Sequence, residues 1–231
     1  MKKVNELIKL PEVKTIFNLF NNNQGIYLVG GCIRDALSGK DVTDIDFAVD
    51  IDPEEVIKIL KNNNIKFYDI GINYGTVTAV IDSKNYEITS LREDIETDGR
   101  HAKVKYTSDI KADSLRRDFT INAIYANRDG ELFDFHNGIE DIENRKLKFI
   151  GSAIDRVKED YLRILRYFRF YADFSNFEID ANLKKVFKEG SKNFSKISKE
   201  RIWSELKKII NQNNSFKSVS YTHLRAHETA Y

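Results

Sequence analysis

Apolar residues recur at three- and four-residue spacing from Val4 through Leu7, Ile8, Val13, Ile16 and Phe17 to Phe20, which predicts helix. Pro11 interrupts or restarts it. Gly25 to Gly31 reads as a short buried strand running into a glycine turn, and Cys32 to Leu37 opens a helix that Ser38 and Gly39 close. Asp44 to Val49 alternates polar and apolar, as a half-buried strand does. Glu54 to Leu60 is a helix candidate, and Lys66–Tyr68, Thr76–Ile81 and Tyr86–Leu91 are strand candidates. Residues 92–113 hold few apolar groups and much charge, so an exposed, mobile loop is expected there. Beyond Ala153 the period turns helical through Val157, Leu162, Leu165 and Phe168, and again through Ile202, Trp203, Leu206 and Ile209. A mixed α/β front over residues 1–150 is thus expected to precede an all-helical back over residues 151–217.

Composition narrows the class. At 231 residues, 41% hydrophobic and 32% charged, the chain is long enough to bury a core and is globular in character. A single cysteine, Cys32, excludes a disulfide framework and a Cys-rich zinc site. No stretch approaches the roughly 20 apolar residues of a membrane span, and Met1–Glu6 lacks the apolar core of a secretion signal. A cytoplasmic protein is expected. The formal net charge of +1 hides an asymmetry: residues 1–150 carry 26 acidic against 21 basic side chains, residues 151–217 carry 15 basic against 9 acidic. A catalytic or metal-binding part beside a polyanion-binding part would give that pattern, and so would a Lys-rich solvated helical region. Residues 218–231 break the Lys/Asn/Ile-rich style of the rest and resemble a translated sequencing-library adapter. They are expected to be non-native, with the natural chain continuing differently after Lys217.

Three clusters carry candidate chemistry. In the first, Gly30 and Gly31 at a strand-to-helix turn would let backbone approach an anion, with Arg34 close behind. Asp44 and Asp46, two apart on a strand, would share a face, where like charges repel unless a cation bridges them. Carboxylate oxygens beside a phosphate suit Mg²⁺, although a bare Asp-x-Asp also serves as the solvated face of an edge strand. In the second, Arg116 and Arg117 precede Asp118 and Asn122, which are four apart and would share a helix face that could read ribose hydroxyls. An Arg–Asp surface pair would look the same. In the third, Glu159, Arg163 and Arg166 would stack on one side of a helix, with Asp160 three residues before Arg163. Such a set could pair with a base edge or form ordinary helix salt bridges.

Taken in order, these clusters resemble the bacterial/eukaryotic class of CCA tRNA nucleotidyltransferases, the class shared with bacterial poly(A) polymerases. The likeness spans roughly residues 20–210. It rests on Gly-Gly-x-x-Arg-Asp-x-Leu-x-Gly followed by Asp-x-Asp, on Arg116 to Ala123 as Arg-Arg-Asp-Phe-Thr-Ile-Asn-Ala, and on Asp129-Gly130 through Asp141. Glu159-Asp160-x-x-Arg163 and Glu200-Arg201 with Glu205-Leu206 complete it; Ser38 replaces a more usual Leu. The resemblance implies an α+β fold: a nucleotidyltransferase-type mixed β-sheet head with flanking helices, followed by an all-helical neck. It implies addition of CCA to tRNA from CTP and ATP, with Asp44 and Asp46 holding two Mg²⁺ ions. Glu87, placed by strand logic, is the candidate third carboxylate. Gly30, Gly31 and Arg34 would cradle phosphates, Arg117, Asp118 and Asn122 would select ribose, and Asp160 and Arg163 would pair with the incoming base. Asp98 to Ala102 would belong to a flexible loop used in the switch from C to A. A poly(A) polymerase, a CC- or A-adding enzyme, and a non-catalytic RNA-binding protein are the alternatives.

Overall fold

The computed structural model describes residues 2–21, 23–98, 101–174 and 178–211. The expected features at Gly99 and Arg100, and the whole of residues 218–231, lie outside the described residues. The chain divides into two compact units, one ending at Ile142 and one beginning at Glu143.

The first unit opens with α1 (Lys2–Ile8) and α2 (Pro11–Leu19). Pro11 starts the second helix because its locked φ suits a first helical turn, whose N–H groups have no intrahelical acceptor to lose. The other helices of this unit are α3 (Gly31–Leu37), α4 (Pro53–Asn62), α5 (Ile110–Leu115) and α6 (Gly138–Glu143). In α4, Pro53 again sits at the start, Glu54 and Glu55 face the positive end of the helix and Lys61 the negative end.

The strands are β1 (Ile26–Val29), β2 (Asp46–Val49), β3 (Lys66–Tyr68), β4 (Thr76–Ile81), β5 (Lys84–Ser90), β6 (Arg92–Asp98), β7 (His101–Tyr106), β8 (Ile124–Ala126) and β9 (Leu132–Asp134). Seven of them form one sheet in the order β3-β4-β5-β2-β1-β8-β9. Its single parallel pairing is β2 with β5, and every other pairing is antiparallel. The short central strands are closed in by Leu28, Phe47, Val77 and Ile88, all fully buried, and Phe17 of α2 packs edge-on against Phe47 at 5.5 Å. Each such side chain contributes about 1.5–3 kcal/mol on burial, so the middle of the sheet is the most strongly held part of this unit.

Three local expectations are corrected. Residues 92–113 are not a loop: β6 and β7 pair as a separate two-stranded hairpin, followed by α5. Register explains how so charged a segment forms strands, since Glu93 stands opposite Lys105. Strand β2 begins at Asp46, leaving Asp44 exposed in the irregular segment ahead of it. Asp118 and Asn122 do not share an α-helix, because Asn122 ends a single 3₁₀ turn, Thr120–Asn122, and Asp118 precedes it.

In the second unit, α7 (Ala153–Glu159), α8 (Leu162–Phe174), α9 (Ala181–Ser191) and α10 (Lys199–Ile210) surround an aromatic core. Phe149 stacks on Tyr167 at 5.6 Å, and Phe187 meets Tyr167 at 4.8 Å and Phe168 at 5.4 Å. Helix α9, unforeseen in the sequence pattern, is capped by Asp180, whose carboxylate accepts from the Leu183 N–H at 2.9 Å.

Gly138 is required by close approach. A Cβ there would stand 2.3 Å from the Thr120 carbonyl oxygen, which is backbone and cannot swing aside. Gly138→Ala should therefore cost roughly 1–3 kcal/mol, read as a lowered midpoint in urea unfolding; an unchanged midpoint would mean that the backbone there yields.

Candidate active site

Three central strands meet at one end of the sheet. Val29, the last residue of β1, is in register with Asp46, the first of β2, and Asp46 is in register with Glu87 of β5. The parallel pairing sets Asp46 and Glu87 side by side on the same face. Directly after β1 comes Gly30 at φ 76° and ψ −126°, a backbone conformation that L side chains rarely adopt. A Cβ on Gly30 would lie 3.7 Å from Nη1 of Arg117, and one on Gly31 would lie 3.6 Å from Nη2 of Arg34. The turn is thus bare backbone flanked by two guanidinium groups.

The guanidiniums are themselves fixed. Arg34 donates from Nε and Nη2 to the two oxygens of Asp35 at 2.9 and 2.7 Å, and from Nη1 to Oδ1 of Asn122 at 2.8 Å. Asn122 Nδ2 donates to Oδ1 of Asp118 at 3.1 Å, and that oxygen also accepts from the Phe119 N–H at 2.9 Å. Asp118 and Asn122 meet, then, through the 3₁₀ turn that replaces the expected helix. Ser38, the departure from the family pattern, donates its hydroxyl to the Arg34 carbonyl at 2.7 Å and so closes α3.

The electrostatics follow from this crowding. The Asp46 carboxyl is pushed up to about 6, first by burial and then by the charge of Glu87, with Arg117 opposing, Asp44 adding and Arg34 opposing. A half-buried carboxylate beside two others is a donor set that a divalent cation with oxygen ligands would neutralise. Among the described residues, however, no group of three His, Cys, Asp or Glu side chains is drawn together tightly enough to hold a metal ion. Cys32, beneath the turn, donates its thiol to the Val29 carbonyl at 3.3 Å; burial pushes that thiol up to about 12.

One residue essential to this arrangement escaped the sequence reading. Asp113 of α5 is fully buried and binds both Arg116, at 2.7 Å, and Arg117, at 3.1 Å. Its only signal in the sequence is its spacing, three and four residues before those arginines.

The second unit holds the other candidates. Helix α7 ends at Glu159, Asp160 is extended, and α8 begins at Leu162, so the expected continuous helix is broken. The break arises because Asp160 Oδ1 accepts from the Leu162 N–H at 3.1 Å. Glu159 still reaches Arg163, whose Nη1 donates to Oε2 at 2.6 Å. Asp160 Oδ2 is held by Arg201 of α10 at 2.7 Å. Arg166 lies 3.6 Å from buried Glu205, which also accepts from Arg169 Nε at 2.8 Å.

Comparison with known proteins places the chain in a family. Residues 26–148 match the family model described as the poly A polymerase head domain, and residues 176–221 match one described as the probable RNA and SrmB-binding site of polymerase A. The zebrafish (Danio rerio) protein named CCA tRNA nucleotidyltransferase 1, mitochondrial, is 42% identical over 220 residues, covering 90% of this chain and 51% of its own. The structure of the Bacillus stearothermophilus CCA-adding enzyme in complex with CTP superposes with a TM-score of 0.78 at 29% identity, over 90% of this chain and 51% of that one. A tRNA nucleotidyltransferase complexed with a primer tRNA and an incoming ATP analog matches with a TM-score of 0.70 at 25% identity, over 87% of this chain and 57% of that one. The chain belongs to the poly A polymerase head-domain family. It spans about half the length of the relatives it matches.

Asp113 makes stability depend on acid. Burial alone would raise its carboxyl; the charges of Arg117 and Arg116 and the Tyr125 hydroxyl outweigh this and hold it at about 2. A depressed folded-state value means stabilisation that is fully present above about pH 4 and is lost as pH falls toward 2. The loss should be about 2 kcal/mol, seen as a steeper fall of the thermal midpoint below pH 4 in the wild type than in Asp113→Asn; parallel curves would reject the assignment.

Proposed function

We propose that this chain carries the catalytic part of a template-independent nucleotidyltransferase that adds CCA to tRNA 3′ ends from CTP and ATP, releasing pyrophosphate. The observation that carries the reading is the convergence at one sheet end of Asp46, Glu87, the bare Gly30 turn and the Arg34–Asn122–Asp118 network. Support also comes from the relatives, whose names include CCA addition, CTP, an ATP analog and tRNA.

In this reading the Gly30–Gly31 turn gives phosphate oxygens access to backbone, and Arg34 supplies charge beside it. Arg117, Asp118 and Asn122 face the sugar, where donors and acceptors fixed in advance distinguish a 2′-hydroxyl from hydrogen. Asp160 and Arg163 read the Watson–Crick edge of the base, with Glu159 and Arg201 holding them in place; Arg166 assists from α8. Asp44 and Asp46, with Glu87 nearby, would hold the divalent cation, magnesium in our reading. When bound it supplies Lewis-acid stabilisation of charge on the transferring phosphoryl group. A cytoplasmic location belongs to the same proposal; no helix among the described residues is long and apolar enough to cross a membrane.

The description of the matched head-domain model favours a second reading, tailing with ATP alone as a poly(A) polymerase. Incubation of the chain with magnesium, CTP, ATP and a tRNA transcript lacking CCA separates the readings. Addition of two C residues and one A is expected. Long ATP-only tails would support the second reading, CC- or A-only products would narrow the activity, and RNA binding with no incorporation would mark a non-catalytic binder. Asp46→Asn should lower incorporation by at least about 100-fold with CTP binding retained, and an unaffected rate would remove Asp46 from catalysis.

A further inference from the structure

Arg117 is aimed by groups on its far side. Oδ2 of Asp113 accepts from its Nε at 3.2 Å and its Nη2 at 3.1 Å. The Tyr125 hydroxyl accepts from the same Nε at 2.8 Å and donates to the same Oδ2 at 2.7 Å. The Nε–Nη2 edge is therefore consumed, and Nη1 is the nitrogen nearest the Gly30 turn. Asp113 is held in turn. Its Oδ1 accepts from Arg116 Nε at 2.9 Å and from the Arg92 N–H, at the root of the β6–β7 hairpin, at 3.1 Å. Tyr125 lies in β8, fully buried, with its ring 5.1 Å from the Arg117 guanidinium carbon. A planar guanidinium gripped on one edge has one orientation left for the opposite nitrogen.

We propose that Asp113 is a positioning residue that, by clamping the Nε–Nη2 edge of Arg117 together with Tyr125, sets how strongly the nucleotide site prefers ribose over deoxyribose. This rests on the reading of Arg117 as a sugar-side contact. Asp113 itself touches no substrate; it works by removing the rotational freedom that a long side chain would otherwise lose on binding. Arginine and carboxylate lie in one short segment, and the tyrosine comes from β8.

Equilibrium binding of CTP and dCTP to the chain in magnesium tests it, with the wild type, Asp113→Asn, Tyr125→Phe, Arg117→Lys and the Asp113→Asn/Arg117→Lys double variant. The wild type should prefer CTP, and Asp113→Asn should lose about tenfold of that preference. Tyr125→Phe should lose a smaller part, and the double variant should be no worse than Arg117→Lys alone. An equal loss of affinity for both nucleotides in Asp113→Asn would assign it a merely structural role and overturn the proposal. So would additive losses in the double variant, since Asp113 would then act elsewhere. If Arg117→Lys itself leaves the preference intact, it is the sugar-side reading of Arg117 that fails. Circular dichroism checks folding at neutral pH; should Asp113→Asn not fold, Tyr125→Phe, which keeps the buried carboxylate, decides by the same ratio.

Discussion

The pairing of β2 with both β1 and β5 is the constraint from which the rest follows. Phe47, Ala48 and Val49 are sealed in the sheet, so Asp46 is the first position on that strand where an acid can be tolerated. Because β1 runs antiparallel and β5 parallel to β2, the glycine turn and Glu87 are brought to the same end by backbone hydrogen bonding alone. Slipping the β2–β5 register by one residue would put Asp46 and Glu87 on opposite faces, and slipping β1 against β2 would displace the glycine turn from Asp46. Core packing, not the polar groups, thus decides where the acids stand. The polar groups then tolerate the resulting repulsion because two guanidiniums oppose it.

Much of this was legible in the amino-acid order because the relevant signals are local. The Pro11 restart, the helix read from Cys32, the strands from Lys66, Thr76 and Tyr86, and the change to helical period near Ala153 are each written within a window of a few residues. The mixed α/β front and the all-helical back were legible for the same reason, whereas the α+β nucleotidyltransferase-type head was implied by the resemblance. What was not legible depends on partners far along the chain or on a single cap. The β6–β7 hairpin shows apolar alternation only along β7, at Ala102, Val104 and Tyr106, and is held by a cross-strand pairing that shifts register between Asp94 and Glu96. The break at Asp160 turns on one carboxylate choosing the Leu162 N–H over a place in a helix.

Site residues divide in the same way. Gly30, Gly31, Arg34, Asp46 and Asn122 stand out because their chemistry is unusual for their element, and hydrogen bonding links Arg34, Asn122 and Asp118 over 88 residues of chain. Asp113 did not stand out, since a carboxylate on a helix is commonplace, and Arg201 entered only as part of a motif; what each one holds is revealed by the fold. Glu87 was placed by strand logic, and its registration against Asp46 turns on a parallel pairing that no local pattern encodes.

The second unit carries a further lesson about its basic surplus. Arg163, Arg166, Arg169 and Arg201 are each tied to an acid of the same unit, so much of that positive charge is structural before any polyanion arrives.

Cys32 has a practical consequence. The chain's sole sulfhydryl lies wholly out of solvent beneath the glycine turn and strongly resists ionisation, so thiol-directed reagents have no accessible native target. A cysteine introduced at an exposed position such as Ile70 or Tyr74 would then be the single reactive handle. A fluorophore could be attached there without first removing a residue from the core.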